Sequence, residues 1–151
     1  MGSLDDLLHE GRWPIVSGIY FASGAVVLIE CNLGLWVRPI ARSTLASIVE
    51  LNSDWMTYLN TLFTTEEPRA GVRVDGGEGA HGSEGFVALS RPGGRLEWVG
   101  YFQWSNPFIK ATIEDGRVIA TTNLCHRWSF PIDHPEQVEV DWGADHSPPC
   151  G

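Results

Sequence analysis

The run Ile113-Glu114-Asp115-Gly116-Arg117-Val118 constrains the fold more than any other feature of the chain. Asp-Gly accepts positive φ at both central positions and so favours the two-residue type I′ turn, whose twist matches that of the strands it joins. A turn of that length fixes the register: Ile113 faces Val118, Ala111 faces Ala120, and Glu114 pairs across with Arg117. One face of the hairpin is then apolar and its loop end is ion-paired. A slip of one residue would turn every apolar side chain to the wrong face, so this segment commits the chain to antiparallel sheet.

Other segments have the same character. Gly18 to Phe21, Ala25 to Cys31 and Leu35 to Val37 are aromatic and β-branched runs separated by short turns at Ser23-Gly24 and Asn32-Leu33-Gly34. Val72 to Val74, Phe86 to Leu89, Leu96 to Trp104, Phe108 to Ile113 and Trp128 to Pro131 read as further strands. Along Leu96 to Trp104, Trp98, Phe102 and Trp104 share one parity and Tyr101 has the other, which predicts a sheet packed on both faces. Ser3-Leu4-Asp5-Asp6 has the form of a capping box and starts a short helix that Gly11 and Pro14 end. Leu45, Ile48, Val49, Asn52, Trp55, Met56, Leu59 and Phe63 recur at intervals of three and four, predicting one helix of roughly 20 residues, with Asn52-Ser53-Asp54 the place where it would split. The expectation is an α+β fold: a mainly antiparallel sheet of about seven to nine strands with one long helix packed on it, forming a single domain over residues 1–151.

At 151 residues one hydrophobic core suffices without metals or disulfides. The widely spaced Cys31, Cys125 and Cys150 are therefore expected to be reduced thiols. No apolar run approaches the ~20 residues that span a bilayer, and the first residues lack a cationic region followed by an apolar one. A soluble, cytoplasmic protein with no membrane association is the expectation. The net charge of −9 is unevenly spread: residues 1–10 hold −3 and residues 128–151 hold −5 with no Lys or Arg, leaving only −1 for everything between. Acidic ends favour a cationic partner and disfavour nucleic acid, whose phosphates they repel over about 8 Å in physiological salt.

Motifs for chemistry do not assemble. Gly77-Glu78-Gly79-Ala80-His81-Gly82 fits the dinucleotide-binding string, but no helix opens after it to receive a pyrophosphate, and Asp75, Glu78 and Glu84 would repel one. It reads as a glycine-rich loop. The candidate metal ligands Cys125, His126, Asp133, His134, Asp145, His146 and Cys150 lack the paired spacing of zinc sites. Cys125 and His126 are adjacent, so on a continuing strand they point to opposite faces and cannot act as nucleophile and base. Glu30, Glu97 and Glu114 could supply a carboxylate pair, but nineteen acids always yield such pairs. No catalytic residue, cofactor or metal is expected, and no enzymatic activity.

A small, acidic, sheet-rich chain in which Trp98-Val99-Gly100-Tyr101-Phe102 leads into the Asp115-Gly116 hairpin is similar to bacterial toxin-neutralising immunity proteins of the contact-dependent-inhibition type. The resemblance spans Phe86 to Asn123, and it implies binding to one toxin domain and blockage of its active site. From the charge pattern, the expected partner-binding residues are Asp133, Glu136, Glu139, Asp141, Trp142 and Asp145, an aromatic anchor ringed by carboxylates that suits a cationic protein. The alternative is a small-ligand-binding or catalytic sheet domain with an aromatic-lined pocket and residues Gly76 to Gly85 as a lid.

Overall fold

A computed structural model describes residues 3–32 and 36–141. Ser3 caps the first helix, α1 (Leu4–Glu10), through a reciprocal capping box with Asp6, and Gly11 closes it in the left-handed conformation. The expected strands then appear: β2 (Gly18–Phe21), β3 (Ala25–Asn32), β4 (Trp36–Thr44), β7 (Val72–Glu78), β8 (Gly85–Arg91), β9 (Arg95–Phe102), β10 (Phe108–Glu114), β11 (Arg117–Thr122) and β12 (Arg127–Pro131). Sequence reading did not anticipate β1 (Arg12–Pro14), β5 (Met56–Tyr58), β6 (Asn60–Glu67) or β13 (Glu139–Asp141).

The long helix is not there. Helix α2 covers only Leu45–Leu51, capped by the Thr44 side chain. Asn52 ends it: its backbone N–H donates to the carbonyls of Ile48 and Val49, and its side-chain amide donates to Ile48 at 2.7 Å. Beyond this stop, Thr57, Tyr58, Thr61, Phe63, Thr64 and Thr65 are β-branched or aromatic and build β5 and β6. The three-and-four spacing past residue 52 coincided with a period-2 pattern, in which Phe63, Thr65 and Glu67 are half-buried while Leu62, Thr64 and Glu66 are exposed.

All sheet pairings among the described residues are antiparallel. The largest sheet has seven strands in the order β4-β3-β2-β9-β8-β7-β6, a second has β10-β11-β12-β13, and β1 pairs with β5 in a short ribbon. The Asp115-Gly116 hairpin has the expected register, with positive φ at both turn residues. Its ion pair does not form; Arg117 instead donates from Nη1 to Ser129 Oγ on β12 at 2.9 Å.

Two cores lie on opposite faces of the seven-stranded sheet. Ile19, Val74, Val87, Leu89, Trp98 and Phe102 pack against Phe108, Val118, Trp128 and Phe130 of the four-stranded sheet. The Trp98 indole N–H donates across this interface to the Ile132 carbonyl at 3.0 Å. On the outer face, Tyr20, Val26, Phe86, Val99 and Tyr101 are covered by Leu4 and Leu7 of α1, Trp13 of β1, and Leu45 and Ile48 of α2. The result is a β-sandwich with a thin helical and ribbon layer on one side. Both sandwich edges are closed, since β6 meets β10 through a Thr65 Oγ1 donation to the Ala111 carbonyl and β13 lies beside β4. Among the described residues no helix is long and apolar enough to cross a membrane.

Candidate protein-binding surface

The corner after β12 carries the acidic residues. Pro131 accepts from the His134 backbone N–H, and His134 in turn accepts from Gln137, winding residues Pro135–Gln137 into one 3₁₀ turn. Pro135 and Val138 are buried beneath it, while Asp133 is exposed. Strand β13 then alternates: Val140 packs against the core opposite Trp128, so Glu139 and Asp141 face outward. Asp133, Glu139 and Asp141 are therefore the exposed carboxylates of the β12–β13 seam, Asp133 at the corner and the other two on β13.

The molecule's own arginines partly meet this charge. Arg91 Nη2 lies 3.5 Å from Asp133, whose side chain is 83% exposed, a pair worth little in water. Arg127 stands opposite Asp141 in register, and Glu139 stands opposite Ser129. Glu136 does not join the exposed set, because its residue is half-buried and Oε1 is enclosed without a hydrogen-bond partner among protein atoms. Its backbone lies in the 3₁₀ turn, which tips the side chain toward the protein. Trp142 and Asp145 lie outside the described residues.

The other chemical candidates disperse. Glu30 pairs with Arg38 at 3.3 Å and Glu97 with Arg91 at 3.1 Å, while Glu114 lies in the other sheet at the hairpin end. Among the described residues no group of three His, Cys, Asp or Glu side chains could hold a metal. Cys125 takes part in a disulfide, so the expectation of three reduced thiols is corrected at that position.

The glycine-rich segment is built differently from an open loop. Gly76 and Gly77 belong to β7, where a β-carbon on Gly77 would stand 2.0 Å from the Asn60 carbonyl oxygen. The segment ends on Glu84, a wholly buried carboxyl group, where the sequence marks only an acid that would repel phosphate. Glu84 accepts from Thr57 Oγ1 at 2.9 Å, from the His81 backbone N–H at 2.8 Å, and from the Tyr101 hydroxyl. Thr57 Oγ1 also accepts from the Ala80 N–H at 2.9 Å, and Ser83 accepts from the Asn106 N–H at 2.8 Å. Burial, followed by the adjacent Glu84, pushes the Tyr101 hydroxyl far above the usual tyrosine range, and burial does the same for Tyr20. With no exposed surface, Glu84 anchors the turn and presents nothing to a substrate.

Of the aromatics that the alternative reading would draw on to line a pocket, Trp98, Phe102, Phe108, Trp128 and Phe130 pack in the inter-sheet core. Trp104, of the same parity as Trp98 and Phe102, is instead exposed, at 44%. A cleft of about 890 Å³ does open on the outer face, between α1 and the ends of β6 to β9. Among the described residues Phe86 is its one Phe, Tyr or Trp, and no residue from 76 to 85 lines it. No protein-family model, curated protein or solved structure matches the chain.

Proposed function

We propose that the protein is a binding domain that neutralises a cationic protein, an immunity protein for a cognate bacterial toxin, with the acidic seam at β12–β13 as its contact surface. The single observation that carries this reading is the outward projection of Asp133, Glu139 and Asp141 along that seam. Two supporting features are the interior placement of the aromatic set and the private ion pairs of Glu30 and Glu97, which leave the best-formed polar groups engaged in structure. Carboxylates at such a seam steer a basic surface into register and raise the encounter rate more than they deepen final affinity.

The test is titration calorimetry against the protein encoded by the neighbouring gene. Wild type is expected to bind, and the joint variant Asp133→Asn, Glu139→Gln, Asp141→Asn to bind at least about tenfold more weakly, or roughly 1.4 kcal/mol. Glu136→Gln, altering a half-buried side chain, should leave affinity within about twofold. Absence of binding to any neighbour's product, or equal affinity of the joint variant, would count against the reading.

A further inference from the structure

The cleft beside α1 is chemically one-sided in a way its residue inventory conceals. Its charged lining includes two guanidinium groups, and both are already neutralised within the chain. Arg73 Nη2 lies 3.2 Å from Asp75 Oδ1, which also accepts from the Thr64 hydroxyl, and Arg91 pairs with Glu97 and Asp133. Glu67 is occupied by the Arg69 backbone N–H at 3.0 Å. Asp5 on α1 and Glu66 on β6 are exposed carboxylates with no ion pair among the described residues. An anion would meet these two across paired arginines, whereas a cation would complete them. His9 is the remaining titratable group on the α1 wall.

Shape adds a second, independent requirement. Apolar residues share the lining with the carboxylates: Leu8 and Leu59 are half-buried, and Pro68 and Pro92 are exposed. A cleft whose lining mixes apolar side chains with carboxylates outside any ion pair fits an aliphatic stem ending in a positive head, the form of an extended arginine or lysine side chain. The location matters too. Arg91 lines the cleft and reaches Asp133, so the cleft rim adjoins the Asp133 end of the acidic seam.

We propose that this cleft receives an arginine or lysine side chain from the protein that docks on the seam. This rests on the functional reading above, but its test needs no partner. ¹⁵N-labelled protein is titrated with N-acetyl-arginine amide, N-acetyl-lysine amide, the uncharged N-acetyl-norleucine amide and the anionic N-acetyl-glutamate amide. Saturable shifts at the Thr61, Thr64, Ser90 and Gly94 amides are expected with the cations and not with the other two. Asp5→Asn with Glu66→Gln, both surface changes, should weaken the cation's apparent affinity at least fivefold while leaving spectral dispersion unchanged. Lack of saturation, an equal response to norleucine or glutamate amide, or unchanged affinity in the double variant overturns the proposal. Loss of toxin binding on neutralising the seam, with these titrations unaffected, would show the two surfaces to be separable.

Discussion

A carboxyl group with no exposed surface must find its donors inside the protein, and Glu84 finds them on β5, on β9 and in its own turn. Removing the acceptor leaves those donors buried and unsatisfied. Glu84→Ala should lower the unfolding free energy by about 3 kcal/mol and Glu84→Gln by roughly 1, since the amide keeps one acceptor oxygen. Urea denaturation checks this, and an alanine variant as stable as wild type would refute the anchoring role. The tyrosines give a pH dependence with a definite sign. Tyr20 and Tyr101 have hydroxyls raised above the unfolded value near 10, so the native state keeps protons that the unfolded chain loses. Their contribution is complete below about pH 10 and declines as pH rises further, at about 1.4 kcal/mol per pH unit for each. Tyr20→Phe should remove one such increment from the slope between about pH 10 and 11.5; an unchanged slope would mean that Tyr20 ionises freely in the folded protein.

At the scale of elements, β6 and β7 show how close packing decides structure that propensity left open. Leu62 is the extra residue of a bulge between Thr61 and Phe63, and the Phe63 ring lies over Gly76, where a β-carbon would stand 2.5 Å from it. Gly77→Ala would force a side chain against the Asn60 carbonyl and the Leu62 N–H, and should cost about 2 kcal/mol or more. Gly82→Ala, which meets nothing within 4 Å, should stay within about 0.5 kcal/mol of wild type. Thermal unfolding of the pair measures the contrast, and equal stabilities would mean that the strands separate at no cost. These glycines were visible in the sequence, yet they read as a loop because their role depends on a strand that the sequence hid. The capping box at Ser3 and the Asp115-Gly116 turn were legible because their partners lie within four residues. The stretch from Asn52 to Glu67 was not, because β6 pairs with β7 across a register shift at Leu62 and Thr65 reaches Ala111 on β10, 46 residues away.

For the molecule as a whole, the two-faced packing of the large sheet followed from the parity of Trp98, Phe102 and Tyr101, and the structure places them on opposite sides as that parity requires. The charge asymmetry was equally plain in the sequence, but its geometry was not. Asp133, Glu139 and Asp141 come to one exposed seam, whereas Glu136 turns inward, a difference set by a single 3₁₀ turn. The cleft was not legible in the sequence, since Asp5 and Glu66 are 61 positions apart and line one cleft only once α1 folds over the sheet. A surface of this kind acts through encounter, so the most direct measurement is the association rate with the neighbouring gene's product as a function of salt. Wild type should associate fast at low ionic strength and slow steeply as salt rises. The Asp133→Asn, Glu139→Gln, Asp141→Asn variant should associate about tenfold more slowly at low salt with a flattened salt dependence. Identical rates and salt slopes for the two proteins would contradict the account.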